Sequence, residues 1–466
     1  SQLRAMPVQQ SQPRFLVRVS TAEGSAGGQK EESEEREVRG FVWDSTSPSG
    51  LAGPRPPPPS ATGEALQRAL KQARLIGRGP AALYALRMKL LSAVVAACVC
   101  SVGLAQVRPV TLEHQGDGWR LLRDGKPYFV KGGGGITSLE LLAESGGNSF
   151  RLWGADDAGR HLDAAQKLGL TVTVGIWLGH ERHGFSYNNA EDIAKLLREA
   201  REAATKFKDH PALLAWGVGN EMEAEKPDNA AIWLAVNAVA AEIKKIDRNH
   251  PTMVVLAEIG TTKLKHIQDL CPDIDMVGVN AYGGAATLPQ RYRELGGAKP
   301  YLLTEYGPGG HWESPKADWG ASLEPTSTEK ARVYADVYRK AVLGAPGLCL
   351  GSYAFIWGHK QEATVTWFGT ILPDGTRLAA VDELRALWSG VAAPNRCPTI
   401  ASLSLGEDPH VKPGDTLHAK LEAADPEGDP LKVTWVLTEE QARYASGGDA
   451  TPALREFPAA IVQPST

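Results

Sequence analysis

From Trp119 onward the chain alternates two kinds of pattern. Short apolar runs rich in Val, Leu and Ile fall at 128–132, 149–153, 171–177, 213–218, 252–256, 276–280, 301–304 and 351–356. They lack strict polar alternation, as strands buried on both faces do. Between them, apolar residues recur every three to four positions. That spacing predicts helices over 138–144, 158–168, 190–206, 229–245, 262–270, 288–295 and 328–342, with an eighth over 378–388 after the last strand. Just before the series, Asp124-Gly125 separates two short runs and predicts a hairpin turn.

Eight strand–helix units predict an α/β protein built on a closed (β/α)8 TIM barrel over 107–390. An open doubly wound sheet would need a phosphate-type glycine turn. Gly132-Gly133-Gly134-Gly135 is not G-x-G-x-x-G before a long helix, and no Walker motif occurs. After Gly390 the character changes. Residues 391–398 read as a linker. Runs at 399–405, 416–423 and 431–437 read as strands of a partial immunoglobulin-like or cadherin-like β module over 399–466, whose last stretch is weakly patterned.

The first 105 residues read differently. Residues 88–105 open on Met88-Lys89-Leu90, run apolar, and end on small residues before Gln106, the pattern of an export signal and short for a membrane span. Residues 1–87 hold a Pro56–Pro59 run and a Glu-rich cluster, and read as a disordered leader or an upstream translation artefact with Met88 as the native start. The expected location is secreted or periplasmic, with no stable membrane span after signal cleavage. Lipid anchoring at Cys98 is the alternative.

Composition narrows the function classes. The 466 residues carry a formal net charge of -4, so nothing basic points to nucleic acid. Of five Cys, Cys98 and Cys100 lie in the signal. Cys271, Cys349 and Cys397 allow at most one disulfide, and no Cys-x-x-Cys follows the signal to suggest zinc or redox chemistry. His180-Glu181-Arg182-His183 is not His-Glu-x-x-His and predicts no zinc protease. Asp425, Glu427 and Asp429 suit a calcium loop or, equally, a proline-rich turn.

In such a barrel the loops at strand carboxyl ends build the site. Asn220-Glu221 follows the fourth strand and Glu305 ends the seventh, across the mouth. A carboxylate ending an apolar run is costly in a packed core, and two facing carboxylates are the working parts of glycoside hydrolysis. Other polar strand-end residues are Lys131, Arg151, Glu258 and Asn280. Glu258 is read as a salt-bridge partner. Lys131 would suit a Schiff-base aldolase, a reading that leaves the glutamate pair unexplained.

The segments Phe150-Arg151-Leu152-Trp153-Gly154, Gly219-Asn220-Glu221, Asn280-Ala281-Tyr282 and Thr304-Glu305-Tyr306-Gly307 resemble the barrel clan of retaining glycoside hydrolases, most of all the family 2 catalytic barrel, with family 5 next. The resemblance covers about 119–390. It implies Glu305 as nucleophile and Glu221 as acid/base, supported by Arg151, Asn220 and Tyr282, with Trp357 as the floor under the sugar and Trp177, His180 and Trp153 at subsites. The implied activity is that of an exported retaining β-glycosidase acting on an oligo- or polysaccharide without metal or organic cofactor. A transglycosylase using the same intermediate and a non-catalytic carbohydrate-binding barrel are the alternatives.

Overall fold

The computed structural model describes residues 13–21, 107–405, 415–441, 444, 448–449 and 451–461. The chain divides into two compact units, Ser1–Glu23 with Ala105–Thr466, and Gly24–Leu104; every described residue belongs to the first. The export-signal reading of 88–105 lies outside the described residues.

Eight parallel strands close into a barrel: β1 (Val130–Gly134), β2 (Ser149–Arg151), β3 (Thr171–Ile176), β4 (Leu213–Val218), β5 (Thr252–Ala257), β6 (Met276–Asn280), β7 (Tyr301–Glu305) and β8 (Cys349–Ala354). Each pairs with its chain neighbours, and β8 closes onto β1 from Gly351↔Val130 to Ala354↔Gly133. Helices α1 (Leu139–Glu144), α2 (Ala158–Leu168), α3 (Ala190–Phe207), α4 (Ala230–Ile246), α5 (Lys263–Leu270), α6 (Leu288–Glu294), α7 (Ser327–Val337) and α8 (Ala379–Ser389) follow them in turn. Local chemistry sets the helix starts: Asn189 accepts from the Glu191 and Asp192 amides ahead of α3, and Thr326 with Glu329 forms a capping box ahead of α7.

Two apolar layers hold the barrel. Outward-facing strand residues such as Val172, Val254 and Leu303 pack against the helices, while Leu214, Met253, Met276, Leu302 and Leu350 fill the interior together with Leu121. Leu121 comes from a hairpin of Val110–Gln115 and Gly118–Arg123 that turns at Asp124-Gly125 onto Lys126–Pro127. Both turn residues have positive φ, 53° and 68°, the geometry that makes Asp-Gly a hairpin signal. Above the apolar plug the lining turns polar. The Tyr353 hydroxyl lies 2.9 Å from Ser149 Oγ and 2.7 Å from Thr173 Oγ1, and the Arg151 side chain lies in the same polar interior.

The carboxyl-terminal strands differ from expectation. Thr399–Ser404 pairs with Lys420–Ala424, whereas Leu431–Glu439 pairs with Pro13–Thr21, from Pro13↔Glu439 to Thr21↔Leu431. These are separate two-stranded sheets, and no immunoglobulin-like sandwich is seen among the described residues. Thr399–Ser404 and Lys420–Ala424 bury no side chain, and Leu403 is 37% exposed, so there is no inner face for a second sheet to cover. The strand at Pro13–Thr21 lies within the stretch expected to lack structure; its partner would otherwise present an open edge. The Asp425 turn is held by its own carboxylate, which accepts from the Glu427 and Asp429 amides at 2.8 and 3.1 Å. Cys271, Cys349 and Cys397 are all free thiols. No helix among the described residues is long and apolar enough to cross a membrane.

Candidate active site

The carboxyl ends of the strands open onto a cavity of about 550 Å³ that both Glu221 and Glu305 line. Glu221 reaches it through an unusual turn. β4 is followed by Gly219 with φ 72°, and Glu221 itself has φ 56°, a left-handed conformation that a non-glycine residue seldom takes. Its amide is tied to the Val255 carbonyl of β5 at 3.0 Å. This places the carboxylate in the mouth, a local strain of the kind that clusters at functional sites.

Glu305 ends β7 and is 5% exposed. Three donors converge on it. Arg151 Nη1 and Trp153 Nε1 donate to Oε1 at 3.0 and 2.8 Å, and the Tyr282 hydroxyl donates to Oε2 at 2.8 Å. Arg151 also donates from Nη2 to Asn220 Oδ1 at 2.6 Å and from Nη1 to the Thr304 carbonyl at 3.1 Å. Burial, then the charge of Glu305, hold the Tyr282 hydroxyl well above its ordinary pKa, so it stays a donor.

Asn280 links Glu221 to the Arg151 network that holds Glu305. Its Nδ2 donates to Glu221 Oε1 at 2.7 Å and to Asn220 Oδ1 at 3.1 Å, while its Oδ1 accepts from Thr304 Oγ1 at 2.8 Å. A register shift between Val279 and Asn280 sets Asn280 opposite Glu305. Burial first, and the negative charge of Glu305 second, push the Glu221 carboxyl up to about 7; the Asn280 hydrogen bond and Arg151 act against them. One carboxylate is thus surrounded by donors and the other is held toward its protonated form, the separation of roles that acid–base chemistry needs.

Most of the expected support residues meet here. Arg151, Asn220 and Tyr282 touch the carboxylate network, and Trp177 lines the cavity, 46% exposed. His180 does not line it. Its buried ring stacks behind Trp177 at 5.2 Å and lies 2.5 Å from Arg182 through Nδ1; burial, then Arg182, lower its pKa. Trp357 is fully buried instead of forming a floor. It packs where a Cβ on Gly133 would stand, 2.4 Å from its own Cβ, and against Trp388 of α8 at 5.7 Å. Phe355, two residues earlier, supplies the aromatic surface that faces the cavity. Lys131 points outward to the Trp388 carbonyl.

Glu258 lines the cavity rim in a bidentate pair with Arg291, at 3.0 and 3.1 Å. A second buried pair lies beyond Glu221: Glu223 accepts from Lys263 at 2.8 Å and from the Ala257 amide at 3.0 Å. Trp153 as a donor to Glu305, and Trp312, Glu313, Phe355, Lys360 and Glu362 as lining residues, were not read from the sequence. The available signal was length: the segments between β7 and α7 and between β8 and α8 are the longest connections at this face. Among the described residues no group of three or more His, Cys, Asp or Glu is arranged to hold a metal.

The fold is a closed (β/α)8 barrel with two carboxylates at its mouth. Residues 139–314 match the family model described as glycosyl hydrolases family 2, TIM barrel domain, and the resemblance read from the motifs holds for that segment. Beta-glucuronidase from Mus musculus is 26% identical over 254 residues, which span 48% of this chain and 36% of that protein. The chain thus covers about a third of that relative's length. Among solved structures, a β-D-glucuronidase from Dictyoglomus thermophilum aligns at 18% identity with a TM-score of 0.47, over 61% of this chain and 54% of that one. A family 2 β-galacturonidase from Eisenbergiella tayi aligns over the same shares at 18% identity and 0.48.

Proposed function

We propose that this chain is a retaining β-glycosidase that hydrolyses O-glycosidic bonds of an oligo- or polysaccharide by double displacement. The observation that carries the reading is the convergence of Glu221 and Glu305 on one cavity through Asn280 and Arg151. Glu305 is the nucleophile: it attacks the anomeric carbon as Glu221 gives its proton to the departing oxygen, leaving a glycosyl ester on Glu305. Glu221, now a carboxylate, takes a proton from the water that opens this ester, and both groups return to their starting forms. Arg151, Trp153 and Tyr282 hold and aim the Glu305 carboxylate. Asn220 is in place to bind the 2-hydroxyl of the sugar.

The match to a family 2 barrel supports this activity class. We further propose that residues 88–105 direct export and that 399–466 form an appended β module; cleavage after 105 would remove the Pro13–Thr21 strand and leave Leu431–Glu439 an open edge. Amino-terminal sequencing of the natively secreted protein checks the export reading.

The deciding experiment is a panel of aryl β-glycosides and polysaccharides, with the first-formed product anomer followed by NMR. A β product from a β bond is expected; an α product would refute retention, and loss of both carboxylates without effect on turnover would refute the assignment.

A further inference from the structure

The cavity wall is acidic beyond what double displacement requires. Besides Glu221 and Glu305 it carries Glu258, Glu313 and Glu362, and Lys360 is the single cation among the described lining residues. A sphere of about 550 Å³ has a radius of about 5 Å, inside one Debye length of ~10 Å at 0.1 M salt, so a wall carboxylate without an ionic partner acts on a bound sugar nearly unscreened.

The cations nearby among the described residues are already engaged. Lys360 Nζ lies 2.7 Å from Glu362 Oε2 and donates to the Gly448 carbonyl at 2.7 Å. Glu362 is itself buried, so the pair is fixed at the wall. Arg291 is bound edge-on to Glu258, and Arg151 to Glu305. Glu313 has no ionic partner among the described residues. Its Oε2 accepts from the Gly283 and Gly310 amides at 3.0 and 2.9 Å, which fasten the carboxylate at the cavity edge without cancelling its charge.

An acidic substituent on the sugar ring would enter this field with no unengaged cation among the described lining residues to meet it, and a fixed like charge costs affinity at short range. We propose that the site selects glycosides whose ring bears no acidic group and rejects uronides, with Glu313 as the rejecting charge and Glu362 as the residue that takes Lys360 out of play. The inference rests on the glycosidase reading above and assigns its substrate class. It runs against the names of the relatives, which are those of uronide-cleaving enzymes.

The test uses the full chain and matched aryl substrates: β-glucoside against β-glucuronide, β-galactoside against β-galacturonide, and the glucuronide methyl ester. At least one neutral glycoside should exceed its uronide in kcat/KM by tenfold or more, and the methyl ester should recover most of that gap. High salt should raise uronide turnover and leave neutral turnover nearly flat. Glu362→Gln, which frees Lys360, and Glu313→Gln, which keeps the acceptor oxygen and removes the charge, should each shift the uronide-to-neutral ratio toward the uronide by about threefold or more. A uronide turned over as well as its neutral partner by the unaltered protein overturns the proposal. If no glycoside is turned over, the glycosidase reading fails by itself. Calorimetric titration with glucose, galactose and their uronates then decides selectivity, and a uronate bound as tightly as its neutral sugar overturns it.

Discussion

Arg151 and Glu305 form a 3.0 Å ion pair with side chains only 2% and 6% exposed, at the ends of two strands 154 positions apart in the chain. Neither charge would be tolerable there alone. The pair persists because the remaining donors and acceptors are also answered, by Asn220, Thr304, Trp153 and Tyr282.

Removing one partner should therefore be severe. Arg151→Met leaves Glu305 buried without its cation and is expected to lower unfolding free energy by about 3–5 kcal/mol. Adding Glu305→Met should restore part of that loss. Denaturant titration of the two single variants and the double variant measures the coupling, and strictly additive losses would show that the pair does not act as a unit.

Glu305→Ala should reduce turnover of natural substrate by at least about 10³-fold. Azide should restore bond cleavage and give a glycosyl azide of inverted anomeric configuration. Rescue that yields a retained azide would remove Glu305 from the nucleophile role.

Glu221→Ala should separate substrates by leaving group. Aryl glycosides with acidic phenols need little protonation and should form the glycosyl-enzyme at near-normal rate. Natural linkages should slow by about 10²–10⁴-fold, the usual contribution of a positioned acid. In the unaltered enzyme, glycosylation of a poor leaving group should fall as pH rises through about 7, where Glu221 loses its proton. A profile flat to pH 9 would contradict the assignment.

The same carboxyl should make stability depend on pH. Its folded pKa, about 7, lies above its ordinary value of 4.5. Between those values the unfolded chain releases a proton that the folded chain keeps, so stability falls as pH rises through the window and levels off above it. Glu221→Gln should lack this fall and gain about 1–3 kcal/mol at pH 8 relative to the parent, with little difference near pH 4. Thermal melts across that range provide the check.

Tyr282→Phe removes one donor to the nucleophile. A hydrogen bond to a charged group contributes about 1.5–3 kcal/mol, so kcat should drop by about 10–100-fold while the fold is kept. A loss confined to KM would mean that the hydroxyl serves binding alone.

The barrel was legible because its signal is local. β4 and β6 have the bounds that their apolar runs indicate, and α2 runs from Ala158 to the Gly169 that ends it. Glu221 and Glu305 stood out for the same reason: a carboxylate closing an apolar run is visible without knowing its partner. Arg151, Asn220 and Tyr282 were legible through the motifs they sit in.

Other features depended on where separate loops come together. Trp357 and Phe355 look alike as aromatic residues after β8. Only the closeness of Gly133 decided that the first is buried and the second faces the cavity. Glu313 and Lys360 lie in long loops without periodicity, and their charges gain meaning from the Gly283 and Gly310 amides and from Glu362. The pairing of Leu431–Glu439 with Pro13–Thr21 joins segments more than 400 positions apart, and backbone hydrogen bonding of that kind leaves no trace in side-chain pattern. Sequence alone determined the order of elements and the two carboxylates, since hydrophobic period and chemical cost are properties of neighbouring residues. Tertiary structure decided the donors, the charge balance and the walls of the cavity, since those depend on distances across the barrel mouth that no local pattern encodes.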